Sequence, residues 1–274
     1  MKILIHNLNI LLPFFYVSVF ILYSLNFWKP KKSFSSAKRI LLFFTVLVHF
    51  LYLLARTIEF DHVPITNIFE IFTLLAFAIT LSYYILELVT EVRNTGMFIL
   101  FIPMVFQIVS TLNIVDLLSV QEILRSPYLG IHVFTALTGY AGITFSAIYG
   151  GLYLMLYKQI KLHRFGLLYQ RLPNLELLES LNYTSALIGF IMLTIAISIG
   201  LIWMPQAFTS ASYFDPKLIV TIFIWILYAI GIITKIYAKW RGKRIIYLSL
   251  AGFVIALFSM TILNLLFTGF HNFQ

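Results

Sequence analysis

Two histidines and one aromatic segment are the residues of this chain whose types suit a specific chemistry. His132 begins one long apolar run, and His271 follows the last one. The aromatic segment, Ser198–Lys217, lies between two other apolar runs. Its residues of interest are Trp203, Phe208, Phe214, Asp215 and Lys217. Imidazole is an axial ligand of heme iron, and aromatic rings pack on flat apolar surfaces. If these residues share one side of a membrane, they suit an iron porphyrin.

Composition places the chain in a membrane. Hydrophobic residues make up 61% of its 274 residues and charged residues only 11%, whereas a soluble domain has about 25% charged residues. A water-soluble fold is therefore excluded. The chain has no cysteine, which excludes disulfides, iron–sulfur ligation, a thiol nucleophile and the C-x-x-C-H attachment site of a c-type cytochrome. Any metal or heme iron must be held by His, Met, Tyr or carboxylate groups.

Eight apolar runs are long enough to cross a bilayer, which takes about 20 residues each. They lie at about 7–28, 39–56, 67–88, 96–117, 130–157, 183–204, 217–238 and 245–268. The sequence therefore predicts an all-α polytopic membrane helix bundle of about eight transmembrane helices. We expect residues 1–274 to form a single membrane domain.

Basic residues predict the orientation of this bundle. Of the 19 Lys and Arg residues, most fall in the connections after the first, fifth and seventh runs, which lie on one face of an eight-helix weave. The positive-inside rule makes that face cytoplasmic and puts both termini outside. His132, His271 and the aromatic segment then share the outer face. The short membrane turns account for the net charge of +9, so we do not predict nucleic-acid binding.

Each of these residues also has a structural interpretation. The aromatic side chains could form an interfacial belt, and His132 and His271 could bond to carbonyl groups. His49 lies within the second run, and Glu70 lies just inside the third. Each is either a functional group of the membrane interior or a group bonded to a neighbouring helix. The residues alone leave these alternatives open.

Four segments, in order, resemble the cytochrome c assembly family of heme-handling membrane proteins, of the CcsA and ResC type. The first is HVPITNIFE (62–70), which resembles the family's H-x-P-x-S-N-x-Y-E. The second is IHVFTALTGYA (131–141), which resembles L-H-V…G-Y-A. The third, residues 200–217, keeps the spacing from glycine to D-P-K of the family's WWD loop. The fourth is TILNLLFTGFHNF (261–273), which resembles G-V-N-x-L-x-x-G-L-H-S-Y.

The resemblance covers residues 62–273, and residues 1–60 match less well. It implies heme delivery to apocytochrome c in c-type cytochrome biogenesis, with heme b as the transported ligand. His132 and His271 would then ligate the iron, with His62 as an internal ligand. The resemblance implies that Trp203, Phe208 and Phe214 lie over the heme. Asp215 would cap the next helix, and Lys217 would pair with a heme propionate.

The resemblance also implies partners and a location. The implied partners are heme, apocytochrome c, the lipid bilayer and a large periplasmic membrane subunit of the ResB type. A second subunit is needed because this chain has neither a cysteine nor a soluble domain. The implied location is a bacterial cytoplasmic (inner) membrane, favoured over a thylakoid membrane.

The chain departs from the family at four positions. By spacing, family tryptophans fall on Phe208, Ser212 and Phe214, and a second membrane histidine falls on Ile233. A weakened loop of this kind resembles HemX, a related membrane protein associated with control of heme synthesis. The alternatives are therefore a HemX-like regulator of heme biosynthesis, or a structural or transport membrane subunit without heme.

Overall fold

The computed structural model describes residues 1–90, 92, 94–115, 126–207 and 216–259. Its regular elements within these ranges are helices, which confirms the predicted all-α class. The helices are α1 Lys2–Trp28, α2 Lys32–Phe60, α3 Ile68–Val89, α4 Gly96–Asn113, α5 Pro127–Lys161, α6 Leu167–Arg171, α7 Leu175–Ala207, α8 Pro216–Ile236 and α9 Lys243–Phe258.

Seven of the described helices, α1 to α5, α7 and α8, are long and apolar enough to cross a membrane. They confirm the predicted polytopic helix bundle. The eighth predicted span, about 245–268, begins within α9, and its last residues lie outside the described ranges. The longest helix, α5, has 35 residues, so at about 1.5 Å per residue it is longer than a hydrocarbon core of about 30 Å is thick. The outer location of both termini stays a prediction.

The chain divides into two compact units, and the first is Met1–Arg125. Within it, α1 packs against α2 and α4, while α3 packs against α4. The core is apolar and aromatic, and its buried residues include Leu12, Tyr16, Tyr52 and Ala76. The turn between α2 and α3 carries one of the predicted site residues, His62.

The second unit is Ser126–Phe273. Within its described part, α5 packs mainly against α7, and α8 and α9 complete the core. A Cβ added to Gly142 on α5 would lie 2.8 Å from the Cα of Gly189 on α7. Only residues without a side chain allow two helix backbones to approach this closely. The single membrane domain expected from the sequence stays a prediction.

Candidate functional site

His62 lies in the short turn that joins α2 to α3. Asp61 ends α2 in the left-handed conformation, with φ 56° and ψ 31°. The N–H of Ile65 donates a hydrogen bond to the carbonyl oxygen of Val63 at 2.9 Å. The residue between these two is Pro64, whose ring restricts φ and therefore favours such a tight turn. The turn thus has a defined backbone.

A backbone carbonyl fixes the imidazole ring of His62. The Nδ1 atom lies 2.9 Å from the carbonyl oxygen of Val63, and because a carbonyl only accepts hydrogen bonds, Nδ1 carries the proton. The other nitrogen, Nε2, then keeps its lone pair. The side chain is only 6% exposed, and no hydrogen-bond partner reaches Nε2 from the described residues. Metal-ligating histidines usually have this arrangement.

Glu70 joins this turn to both neighbouring helices. Its Oε1 accepts a hydrogen bond from Nη2 of Arg56, near the end of α2, at 2.6 Å. Its Oε2 accepts from the backbone N–H and the hydroxyl of Thr66, each at 2.7 Å. The backbone N–H of Glu70 donates to the side-chain oxygen of Asn67 at 3.0 Å, which caps α3. Glu70 is therefore a buried, fully paired group of the helix bundle.

His132 lies in the second turn of α5 and faces α7. Its Nδ1 lies 2.9 Å from the carbonyl oxygen of Ala196, so Nδ1 donates and Nε2 keeps its lone pair. A Cβ added to Gly200 would lie 3.0 Å from the ring carbon Cε1 of His132, so the glycine makes room for the imidazole. Trp203 follows Gly200 by three residues and therefore lies on the same face of α7. The structure thus brings the start of the aromatic segment to His132.

The remaining predicted site residues lie outside what the structure describes. These are Phe208, Phe214, Asp215 and His271, together with the side chain of Lys217. The pairing of His132 with His271, and the covering role of the aromatic segment, therefore stay predictions. His62 belongs to the first unit and His132 to the second.

Ile233 occupies the position where the family has its second membrane histidine. It lies on α8 and is 53% exposed. An aliphatic side chain has no donor atom for a metal, so this position supplies no ligand. That the family's second membrane histidine falls on Ile233 stays a prediction from the resemblance.

His49 takes part in a hydrogen-bond network within the first unit. Its Nδ1 lies 2.8 Å from the hydroxyl of Tyr16, and its Nε2 lies 3.0 Å from the hydroxyl of Thr73. The Thr73 hydroxyl donates to Oε1 of Gln107 at 2.7 Å. The Nε2 atom of His49 must therefore carry the proton, and Nδ1 accepts from Tyr16. Both ring nitrogens are occupied, so His49 is bonded to neighbouring helices rather than available as a ligand.

A second buried carboxylate, Glu87, lies near the end of α3 and was not among the residues predicted from the sequence. It accepts hydrogen bonds from the hydroxyl of Tyr23 and from Nε of Arg39 on α2, the latter at 3.2 Å. The sequence contains a signal for this carboxylate. Polar residues recur along α3 at intervals of three and seven residues, which places them on one face of the helix. These residues are Glu70, Thr73, Thr80 and Glu87.

Comparison with known proteins gives one consistent result across both units. The sequence model of the family described as cytochrome C assembly protein matches residues 7–271. The chain is 29% identical to the cytochrome c biogenesis protein CcsA of Prochlorococcus marinus (strain MIT 9301), over 96% of this chain and 92% of that protein. It is 28% identical to CcsA of Guillardia theta and 26% identical to CcsA of Mesostigma viride, each over 80% of this chain and 79% of the relative.

Proposed function

The chain belongs to the cytochrome c assembly protein family, and from this premise we propose that it delivers heme to apocytochrome c at the outer face of its membrane. One observation carries the proposal: the imidazole rings of His62 and His132 are both fixed through Nδ1 by a backbone carbonyl. In each, a backbone carbonyl 2.9 Å from Nδ1 fixes the ring. Each therefore offers Nε2, the nitrogen that binds iron in most histidine-ligated hemes.

Heme suits the donor groups that the described residues offer. The buried Nε2 of His62 has no partner among those residues, and a buried polar atom without a partner is costly. Heme iron would supply that partner. In this proposal heme b is the cargo, His132 and His271 are its outer axial pair, and His62 is an internal ligand on the route to the outer face.

The aromatic segment completes the proposed outer site. Trp203, Phe208 and Phe214 pack on the porphyrin faces, which are flat and apolar. Lys217 binds a heme propionate through a charge-assisted hydrogen bond. Asp215 caps α8, whose first residue, Pro216, is of the type preferred at that position.

The proposed partners follow from what this chain lacks. It has no cysteine, so the thiols that receive the heme come from the apocytochrome. Each thiol adds across one vinyl group of the heme: a C–S bond forms and the thiol hydrogen moves to the neighbouring carbon, so no oxidant is consumed. We propose that the chain lies in a bacterial cytoplasmic (inner) membrane beside a large periplasmic ResB-type subunit, with its basic connections on the cytoplasmic side.

A second candidate function is favoured by the missing ligand and the missing tryptophans. Ile233 supplies no ligand, and Phe208, Ser212 and Phe214 stand where the family has tryptophan. A HemX-like regulator of heme synthesis needs heme contact but not heme transfer. A deletion strain separates the two functions: loss of covalent heme on cytochrome c at normal total heme supports delivery, while normal cytochrome c with altered heme precursors supports regulation.

Absorption spectroscopy of the purified full-length chain tests heme binding itself. Protein from heme-replete cells, in mild detergent, is expected to show the Soret band of a six-coordinate bis-histidine heme. The variants His132→Ala and His271→Ala each remove one axial ligand, so heme occupancy falls and added imidazole restores it. His163→Ala is the control, because this histidine is exposed after α5. Wild-type protein that stays colourless after heme is added would contradict the proposal.

A further inference from the structure

A buried ion pair and one threonine hold the turn that carries His62, and we propose that their function is to position its Nε2 for iron. We name Arg56, Glu70 and Thr66 the turn clamp. This inference rests on the proposed function, because it concerns the same heme iron. None of the three residues would touch the iron, so they are positioning residues.

The carboxylate of Glu70 has a single well-defined placement. It receives three hydrogen bonds of 2.6–2.7 Å, one on Oε1 from Arg56 and two on Oε2 from Thr66. The side chains of Arg56 and Glu70 are 3% and 1% exposed. A buried charge is tolerated only when it is paired and hydrogen-bonded, so this carboxylate cannot rotate without losing a partner. The clamp is therefore rigid.

The turn transmits this placement to the imidazole of His62. Thr66 is bound to Glu70 through both its N–H and its hydroxyl, which holds the last part of the turn against α3. Within the turn, the carbonyl oxygen of Val63 accepts from the N–H of Ile65 and from Nδ1 of His62, each at 2.9 Å. The direction of that carbonyl therefore determines the direction of the ring.

The clamp also reaches His62 from the α2 side. The guanidinium carbon of Arg56 lies 5.0 Å from the centre of the Phe60 ring, a cation–π distance. The Phe60 ring in turn lies 6.2 Å, centre to centre, from the imidazole of His62. Both chain ends of the turn are thus tied to the same ion pair, which explains why an energetically unfavourable buried pair lies beside a histidine whose Nε2 has no partner among the described residues.

The chain provides its own control for a purely structural role. Glu87 is a second buried carboxylate on α3, and it too pairs with an arginine of α2, Arg39, at 3.2 Å. It follows Glu70 by 17 residues, or about 25 Å along the helix. Replacing either carboxylate by glutamine disturbs an α2–α3 ion pair, but only Glu70 is bonded to the turn of His62.

Two measurements on the full-length chain test the turn clamp. The first is heme affinity by titration of the Soret band, with and without imidazole. We expect Glu70→Gln to weaken heme binding by the same factor as His62→Ala, up to about tenfold, because both variants act at the internal ligand and leave His132 and His271 intact, and we expect imidazole to restore it. The second needs no heme: diethyl pyrocarbonate modifies unprotonated imidazole, and mass spectrometry reads the modification at His62. We expect labelling of His62 to rise several-fold in Glu70→Gln and to stay at the wild-type level in Glu87→Gln.

The outcomes separate the clamp from the proposed function. Equal effects of Glu70→Gln and Glu87→Gln, or unchanged labelling of His62 in Glu70→Gln, would overturn the clamp. If wild type and His62→Ala bind heme alike while labelling still rises only in Glu70→Gln, the clamp stands as a device that orients His62 and the role of His62 in heme binding fails. If Glu70→Gln does not fold, Thr66→Val replaces it, because it keeps the ion pair and the backbone bond to Glu70 and removes only the two bonds of the hydroxyl, to Glu70 and from Nδ2 of Asn67. Labelling of His62 is then expected to rise, and unchanged labelling would overturn the clamp.

Discussion

The two compact units differ in the polar contacts between their helices, which are buried ion pairs in the first unit and neutral hydrogen bonds beside closely packed glycines in the second. In the first unit, buried carboxylates pair with arginines, as in Glu70–Arg56 at 2.6 Å and Glu87–Arg39 at 3.2 Å. In the second unit, α5 approaches α7 closely at Gly142 and Gly189, and the side-chain amide of Asn182 on α7 donates to the hydroxyls of Ser146 on α5 and Ser249 on α9 at 3.0 and 2.9 Å. A buried ion pair is stable only when both charged groups keep their geometry. Close packing at glycine requires only that no side chain separates the two helices.

The difference extends to the two described candidate ligands. His62 is held through a chain of side-chain contacts that begins with the Arg56–Glu70 pair. His132 is held by the backbone of a neighbouring helix, through the carbonyl of Ala196 and the space left at Gly200. Changes of charge should therefore disturb the first unit most, and a side chain added at Gly142 should disturb the α5–α7 contact of the second.

The largest effect is expected from breaking the buried ion pair of the first unit. Arg56→Leu leaves the carboxylate of Glu70 buried without its cation, which should lower the free energy of unfolding by about 3–5 kcal/mol. The matched change in the second unit is Lys235→Leu, which breaks the ion pair between Lys235 and Glu179. Their side chains are 24% and 17% exposed, so the loss of stability should be about 1 kcal/mol or less. Thermal unfolding in detergent, followed by circular dichroism, measures both. Equal losses would mean that the two units do not differ in this respect.

The second prediction tests glycine packing between α5 and α7. The Cβ of Gly142→Ala would lie 2.8 Å from the Cα of Gly189, so the helices must separate, at a cost of about 1–3 kcal/mol. The control is Gly151→Ala on the same helix, where a Cβ meets no atom within 4 Å and helix propensity favours alanine by about 1 kcal/mol. The same unfolding measurement is expected to give changes of opposite sign. A harmless Gly142→Ala would refute close packing as the basis of the second unit.

The third prediction concerns the hydrogen-bond network around His49. Thr73→Val keeps the volume of the side chain but leaves Nε2 of His49 and Oε1 of Gln107 without their bonds of 3.0 and 2.7 Å. We expect a loss of about 1–2 kcal/mol, as for other buried polar groups in membrane helices. Thr138→Val is the control, since its hydroxyl bonds only to the carbonyl of Phe134 in its own helix, and a change within about 0.5 kcal/mol is expected. Comparable losses in the two variants would indicate that the network adds no stability.

The smallest effect is expected from a single polar bond in the second unit. Nε1 of Trp225 donates to the hydroxyl of Thr194 at 2.7 Å, and the indole stacks on Phe190 at 5.2 Å. Trp225→Phe removes the bond and keeps most of the stacking, so the loss should be about 0.6 kcal/mol, the average for such bonds in a membrane protein. Trp28→Phe, at a tryptophan that is 58% exposed, should leave the unfolding temperature unchanged. A loss at Trp225 as large as that of Arg56→Leu would break the proposed contrast, because a single neutral hydrogen bond of the second unit would then contribute as much as a buried ion pair of the first.

The helices themselves were predictable because their signals are local. The predicted spans of about 67–88 and 217–238 correspond to α3 at Ile68–Val89 and α8 at Pro216–Ile236. Apolar length determines a span, while residues such as Asn67 and Pro216 mark where a helix begins. The predicted first residues of α1 and α2 were less accurate. Both helices begin before their apolar runs, at Lys2 and Lys32.

The sequence by itself determined the membrane class, most of the helix positions, the family, and the choice of His62 and His132 as candidate ligands. Tertiary structure alone decided which nitrogen His132 offers, because that depends on a hydrogen-bond partner from another helix. For His132 the partner is the carbonyl of Ala196, 64 residues away in the sequence. Tertiary structure likewise decided that Glu70 pairs with Arg56 and that both ring nitrogens of His49 are hydrogen-bonded. Such partners are brought together only when separate helices pack, and no pattern within one helix specifies them.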